Sequence, residues 1–214
     1  TYIYQTKDIE NGHWERYTLN QYYHDCSLIF DDQEDGNVRV YLVYGGGPVE
    51  IVELNESATA EKENGLRKSI LTKDEILAAE GNDKNEAEGA HIYKIGDYYY
   101  MTMINYNQSG VRTELCFRSK TIDSGYEGRV VWSKNKGPSD ENSQGVAQGG
   151  LVQTGKDPHS QSSFQYAFIF QDQGALGRSP NVMPIAWEND WPVFNPDNLD
   201  LTTIENPFGS HNVK

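Results

Sequence analysis

Three polar residues open three similar stretches of the chain: Asp25, Glu88 and Gln148, 63 and 60 residues apart. Each stands at the mouth of a short strand-like run, and each run is followed by a hairpin and one or two further strands. Long-looped units of this kind are what four-stranded propeller blades look like in sequence. In a propeller such positions converge on one funnel, so Asp25 and Glu88 would meet despite their separation along the chain. Two carboxylates in one funnel do acid–base chemistry, because like-charge repulsion keeps one protonated while the other is ionised. Without that convergence they are ordinary turn or edge carboxylates that bond local backbone N–H groups.

The elements that must position these residues follow from the pattern. The first unit passes from Tyr23 through Leu28-Ile29-Phe30 to Val38–Tyr44 and Val49–Leu54. The second passes from Glu88 through Tyr98–Asn105 and Arg112–Arg118 to Arg129–Trp132, and the third from Gln148 through Phe164–Phe170 and Val182–Trp187 to Trp191–Phe194. Gly96-Asp97 links Ile95 to Tyr98 as a two-residue hairpin turn of type II′. Tyr98 to Met103 is apolar on both faces, as suits a middle strand between neighbouring blades. The one helix predicted is Thr72–Glu80, with Thr72 and Glu75 as a capping box and Gly81 as its stop. The rest of Asn55–Glu86 reads as a polar excursion, Ser133–Ser143 as a second polar loop, and 195–214 as a linker or surface-wrapping tail. Tyr2–Gln5 and Trp14–Leu19 read as outer strands of one more blade. At about 60 residues per blade the chain supplies roughly three and a half blades, fewer than a closed ring needs.

Composition narrows the function classes. The 214 residues carry 32 acidic and 18 basic side chains, for a net charge of -14. No Lys/Arg stripe exists to track a phosphate backbone or an anionic membrane. No apolar run approaches the roughly 20 residues of a membrane span. Twenty glycines and 14 tyrosines suit short strands and tight turns. The two cysteines make no disulfide framework; Cys26 reads as a buried small hydrophobe and Cys116 as an inert mid-strand residue. Gly45-Gly46-Gly47 lacks the Lys-Ser/Thr of a phosphate loop and fits close backbone approach at a strand end.

Several motifs add a resemblance: Tyr23-His24-Asp25-Cys26-Ser27-Leu28 with Val40-Tyr41-Leu42-Val43-Tyr44-Gly45, then Glu88-Gly89-Ala90-His91-Ile92-Tyr93-Lys94, Gln148-Gly149-Gly150-Leu151-Val152, Phe170–Arg178, and Pro184–Trp187 with Asn189–Val193. In this order and at this spacing the chain resembles glycoside hydrolase family 43, the β-xylosidases, α-L-arabinofuranosidases and arabinanases. The resemblance implies an all-β, five-bladed propeller, of which the chain carries roughly the last three and a half blades. Residues 1–22 would be outer strands of the second blade, 23–87 the third with its long loop, 88–147 the fourth and 148–194 the fifth.

It further implies inverting hydrolysis of xylose or arabinose linkages in plant-wall polysaccharides or oligosaccharides. Glu88 matches the general acid and Asp25 the residue that modulates its pKa. Arg178 matches a guanidinium that reaches the sugar or a catalytic carboxylate; a surface salt bridge is its plain alternative. The general base, which precedes the Asp25 position in relatives, has no match in the chain. A missing N-terminal propeller segment, as a separate chain or otherwise, is therefore an expected partner beside the oligosaccharide. His24, Trp14 and Tyr106 are candidates for the substrate rim, with Gln5 and Tyr22. No cofactor is needed for the chemistry. Relatives often hold a calcium or other ion on the propeller axis, and His91 is either in the second shell of such an ion or a satisfied core histidine. A secreted or periplasmic location fits the substrate. Two alternatives remain beside this reading: a carbohydrate-binding propeller without catalysis, and a fragment inactive on its own.

Overall fold

The computed structural model describes residues 1–33, 35–81, 87–106, 111–133, 146–172 and 178–197. Among them the strands are β1 (Tyr2–Gln5), β2 (Glu15–Thr18), β3 (Ser27–Asp32), β4 (Val38–Gly45), β5 (Val49–Leu54), β6 (Arg67–Leu71), β7 (Glu88–Ile95), β8 (Tyr98–Tyr106), β9 (Arg112–Ser119), β10 (Glu127–Ser133), β11 (Val146–Gln153), β12 (Phe164–Asp172), β13 (Arg178–Glu188) and β14 (Trp191–Phe194). A helix, α1 (Lys73–Glu80), lies between β6 and β7. The strands pair antiparallel in sheets of order β1-β2, β3-β4-β5-β6, β7-β8-β9-β10 and β11-β12-β13-β14. Sequence neighbours are therefore neighbours in space. The fold is all-β, and its four sheets have the arrangement of part of a β-propeller.

Three apolar layers lie between consecutive sheets. Ile3 of the first sheet and Leu19 just after it pack with Val40, Leu42, Val52 and Leu54 of the second. Tyr41, Val43, Ile51 and Leu71 meet Ile92, Met101, Met103, Leu115 and Phe117 of the third. Ile95, Tyr100 and Cys116 meet Leu151, Ala167, Ile169, Met183 and Trp191 of the fourth. Each four-stranded sheet inside the stack has two dry faces, which explains the apolar runs. In β8 every interior residue is buried, with Tyr99, Met101 and Met103 facing one layer and Tyr100 the other. Two faces keep exposed aromatics: Phe30 on β3, at 57% exposure on the side of the second sheet turned away from the third, and Phe168 on β12, at 49% on the outer side of the fourth.

Local signals do what they predict. The Thr72 hydroxyl accepts from the Glu75 N–H, and the Glu75 carboxylate accepts from the Thr72 N–H at 2.7 Å, closing the capping box. Gly81 ends α1 at φ 72°. Ile76 anchors the helix in the layer between the second and third sheets. The hairpin turn between β7 and β8 places Gly96 at φ 59°, a value glycine adopts without strain.

Two expectations change. The polar stretch after Asn55 contains β6, the fourth strand of its sheet. Arg67, Lys68 and Ser69 are exposed there and only Ile70 and Leu71 are buried, so a charged edge strand looks like a loop in sequence. Cys26 is exposed and not buried, because it precedes β3 and its side chain falls outside the apolar layers; both cysteines are free. The loop after Ser133 and most of the tail lie outside the described residues.

Phe117 is 1% exposed and fills the layer between the second and third sheets. Phe117→Ala should cost about 3–5 kcal/mol in chemical denaturation of the full-length protein. A loss below about 1 kcal/mol would show that this layer is loosely packed.

Candidate active site

Asp25 and Glu88 come from the openings of two different sheets. Asp25 sits just before β3 with φ 47°, and Glu88 is the first residue of β7. The Gly45 N–H donates to the His24 carbonyl at 3.0 Å, tying the end of β4 to the approach of β3. The next residue, Gly46, lies directly against the Ala87 carbonyl, and a Cβ built on it would stand 3.0 Å from the Glu88 Cα. Only glycine permits this approach. The run of three glycines thus carries the start of the third sheet up to the start of the second.

As a result His24, Asp25 and Glu88 converge, with one ligand-type atom from each lying within 4.8 Å of the others. His24 Nε2 is 3.5 Å from Asp25 Oδ2, and Tyr22 Oη is 3.0 Å from His24 Nδ1. The His24 and Asp25 side chains are 53% and 32% exposed, so the group opens to solvent. It is the one such group of metal-type ligands among the described residues. Two carboxylates and an imidazole are metal-type donors; calcium takes 6–8 ligands, to which bidentate carboxylates and waters contribute. His91 stands outside the group, on the exposed side of β7 beside Gly150. This group does not place the ion expected on the propeller axis, and no step is assigned to a metal.

The other expected residues have these surroundings. The Arg178 guanidinium stacks over the Phe170 ring at 4.6 Å, and Arg112 lies 5.5 Å from the same ring. Tyr106 ends β8, and its hydroxyl accepts from Arg112 Nε at 3.4 Å. Trp14 precedes β2 and is 46% exposed. The Gln5 side-chain amide donates to the Ser57 carbonyl at 2.6 Å, a link between the first two sheets. Trp191 is buried in the layer between the last two sheets, and the partly buried Trp187 packs against it.

Sequence reasoning passed over Glu114. It is fully buried on β9, and its Oε2 accepts the Gln148 N–H at 2.7 Å. Its Oε1 is buried with no hydrogen-bond partner. Burial pushes this carboxyl up to about 8, with the Gln148 and Gly149 N–H groups pulling the other way. The available signal was an acidic residue directly before the apolar run Leu115-Cys116-Phe117, in a strand predicted to be interior.

Comparison with known proteins agrees with the geometry. The model of glycosyl hydrolases family 43 matches residues 1–192. The chain belongs to this family. A curated protein of Xylanibacter ruminicola whose name contains "beta-xylosidase" is 32% identical over 126 residues, which are 58% of this chain and 22% of that protein. A solved Bacteroides eggerthii structure described as "Bifunctional GH43-CE" is 33% identical, with a TM-score of 0.73 over 90% of this chain and 22% of its own length. A xylan β-1,4-xylosidase from Bacillus halodurans shares the fold at 23% identity and a TM-score of 0.60, over 90% of this chain and 37% of its own. The chain therefore spans about a fifth to two fifths of the length of these relatives.

Glu114 makes stability depend on pH. Its carboxyl titrates near 8 when folded, against an ordinary 4.5, so the folded state keeps a proton that the unfolded chain releases. That contribution is complete below pH 4.5 and is lost as pH rises to about 8. Glu114→Gln removes it, so the Tm of the variant should gain on that of the parent between those limits. Parallel Tm curves for parent and variant across that range would contradict the assignment.

Proposed function

We propose that this chain is part of an inverting glycosidase that releases xylose or arabinose from plant-wall polysaccharides or oligosaccharides. Glu88 is the general acid in this reading and Asp25 its modulator. The observation that carries it is the meeting of the two carboxylates within 4.8 Å at the openings of adjacent sheets. An inverting acid and base stand about 6.5–9.5 Å apart, to leave room for a water. Asp25 is too close to Glu88 for the base and well placed for the neighbour whose charge acts on the acid. The base then comes from residues beyond this chain. The exposed Leu28, Phe30 and Phe168 support that view: Leu28 and Phe30 lie on the side of the second sheet turned away from the third, which the two-stranded first sheet leaves uncovered, and Phe168 lies on the outer side of the fourth, where further strands would pack.

In the reaction the Glu88 carboxyl gives its proton to the glycosidic oxygen as the bond to the anomeric carbon breaks. A water attacks that carbon from the opposite face and passes a proton to the base, leaving a sugar of inverted configuration. His24 and Arg178 would hold sugar hydroxyls, with Trp14 and Tyr106 at the rim. The name of the Xylanibacter relative supports xylose as one such sugar. Such substrates suit a secreted or periplasmic protein.

Glu88→Gln in the full-length protein should lower kcat on phenyl xylosides and arabinofuranosides by about 10²–10⁴-fold, with inverted product seen by NMR for the parent. Near-normal turnover on both sugars and on the natural glycan would overturn the reading. Saturable sugar binding by the parent with no sugar released would point instead to a binding propeller without catalysis. Gly46→Ala drives a methyl into the Ala87 carbonyl and displaces Glu88, so kcat should fall about 100-fold. Unchanged kcat would mean that Glu88 tolerates the shift.

A further inference from the structure

Glu114 has no part in the reaction as described, yet the chain buries it completely between the third and fourth sheets. Burying a carboxyl is costly, and an apolar residue of similar volume stabilises such a place as well or better. Its contacts lead to the site. The Gln148 N–H that Glu114 Oε2 accepts belongs to a residue held at φ 65°, a left-handed conformation rare outside glycine. Gln148 is the extra residue of a bulge, since the β11–β12 register shifts between Ala147 and Gly149. Its side-chain amide lies over the Cα of Gly89, with Nε2 2.7 Å from where a Cβ would stand. Gly89 is itself left-handed at φ 68° and follows Glu88 in a second bulge, where the β7–β8 register shifts between Glu88 and His91. The two bulges thus face each other across the sheets. Bulges re-aim the side chains beside them and gather at active sites. Cross-strand pairing also sets Glu88 opposite Ile104, and Ile104 opposite Glu114, at one level of the third sheet.

We propose that Glu114 is a positioning residue which, through Gln148, holds the bulge after Glu88 and so aims the acid at the glycosidic oxygen. Glu114 touches neither substrate nor reacting atoms in this arrangement. It offers an acceptor that keeps Gln148 left-handed, and the Gln148 amide then presses on the one residue that sets the exit direction of Glu88. A glutamine at 114 retains an acceptor oxygen without charge, whereas alanine leaves the Gln148 N–H without a partner.

The proposal rests on Glu88 being the general acid, and the test separates the two claims by leaving group. Dinitrophenyl glycosides depart without protonation, whereas phenyl glycosides need the acid. In the full-length protein, Glu114→Ala should lower kcat on phenyl xyloside or arabinofuranoside about 30-fold or more, with KM and dinitrophenyl turnover within about threefold. Glu114→Gln should recover most of the loss. Gln148→Ala, which leaves the buried carboxyl in place, should show the same selective loss and decides the matter if Glu114→Ala does not fold. Equal losses on both leaving groups, or no loss in either alanine variant, would overturn the positioning role. Glu88→Gln is the control. If it shows the leaving-group signature and the alanine variants do not, the positioning role alone fails. If Glu88→Gln lacks that signature, the acid assignment fails and the positioning role fails with it.

Discussion

The backbone of Gly46 lies against the Ala87 carbonyl and the Glu88 Cα, with room for a hydrogen and nothing larger. The candidate site depends on this contact. It brings the opening of the third sheet to the opening of the second, and with it Glu88 to Asp25 and His24. Side chains between sheets hold them far apart; Gly46, just after β4, removes that spacing at the level of Glu88.

Elsewhere the sheets are held by apolar layers and placed by polar ties. Dispersion and burial supply cohesion without direction. Direction comes from a few buried hydrogen bonds. The Tyr99 hydroxyl donates to the buried Asp31 carboxylate at 2.9–3.0 Å, joining the third sheet to the second. The Thr102 hydroxyl donates to the Gly149 carbonyl at 3.1 Å, and the Leu151 N–H donates to the Tyr93 hydroxyl at 3.0 Å. These two ties and the Glu114–Gln148 bond join the third sheet to the fourth near the level of Glu88. A buried polar group left unpaired is expensive, so each tie penalises sliding of one sheet over the next.

Much of this was legible in the chain. Apolar runs bounded by Gly, Asn and Asp marked the interior strands, and the capping box marked α1. The strand that escaped notice, β6, is an edge strand whose charged residues face water. Edge strands avoid unwanted pairing by carrying charge, which also removes the apolar pattern by which strands are recognised. Cys26 was misplaced for a related reason: it precedes the strand, where alternation no longer says which way a side chain points. Glu114 was overlooked because an acidic residue beside Arg112 and Thr113 reads as part of a polar strand end. Its meaning lies in the Gln148 N–H, 34 residues away.

By itself the sequence determined what local physics decides. The period of the strands, the turn at Gly96, the helix cap, the repeat of Asp25, Glu88 and Gln148 at sheet openings and the family motifs all depend on residues close together in the chain. The tertiary structure decided what depends on distance across sheets. It set a carboxylate oxygen of Asp25 within 4.8 Å of one of Glu88, closer than the carboxyls of an inverting acid–base pair usually stand. It also opposed the bulges at Glu88 and Gln148 and buried Glu114 behind them. These relations are set by how closely sheets pack and by which backbone groups remain to be paired between them. Such quantities arise only when residues some 60 positions apart are brought into contact.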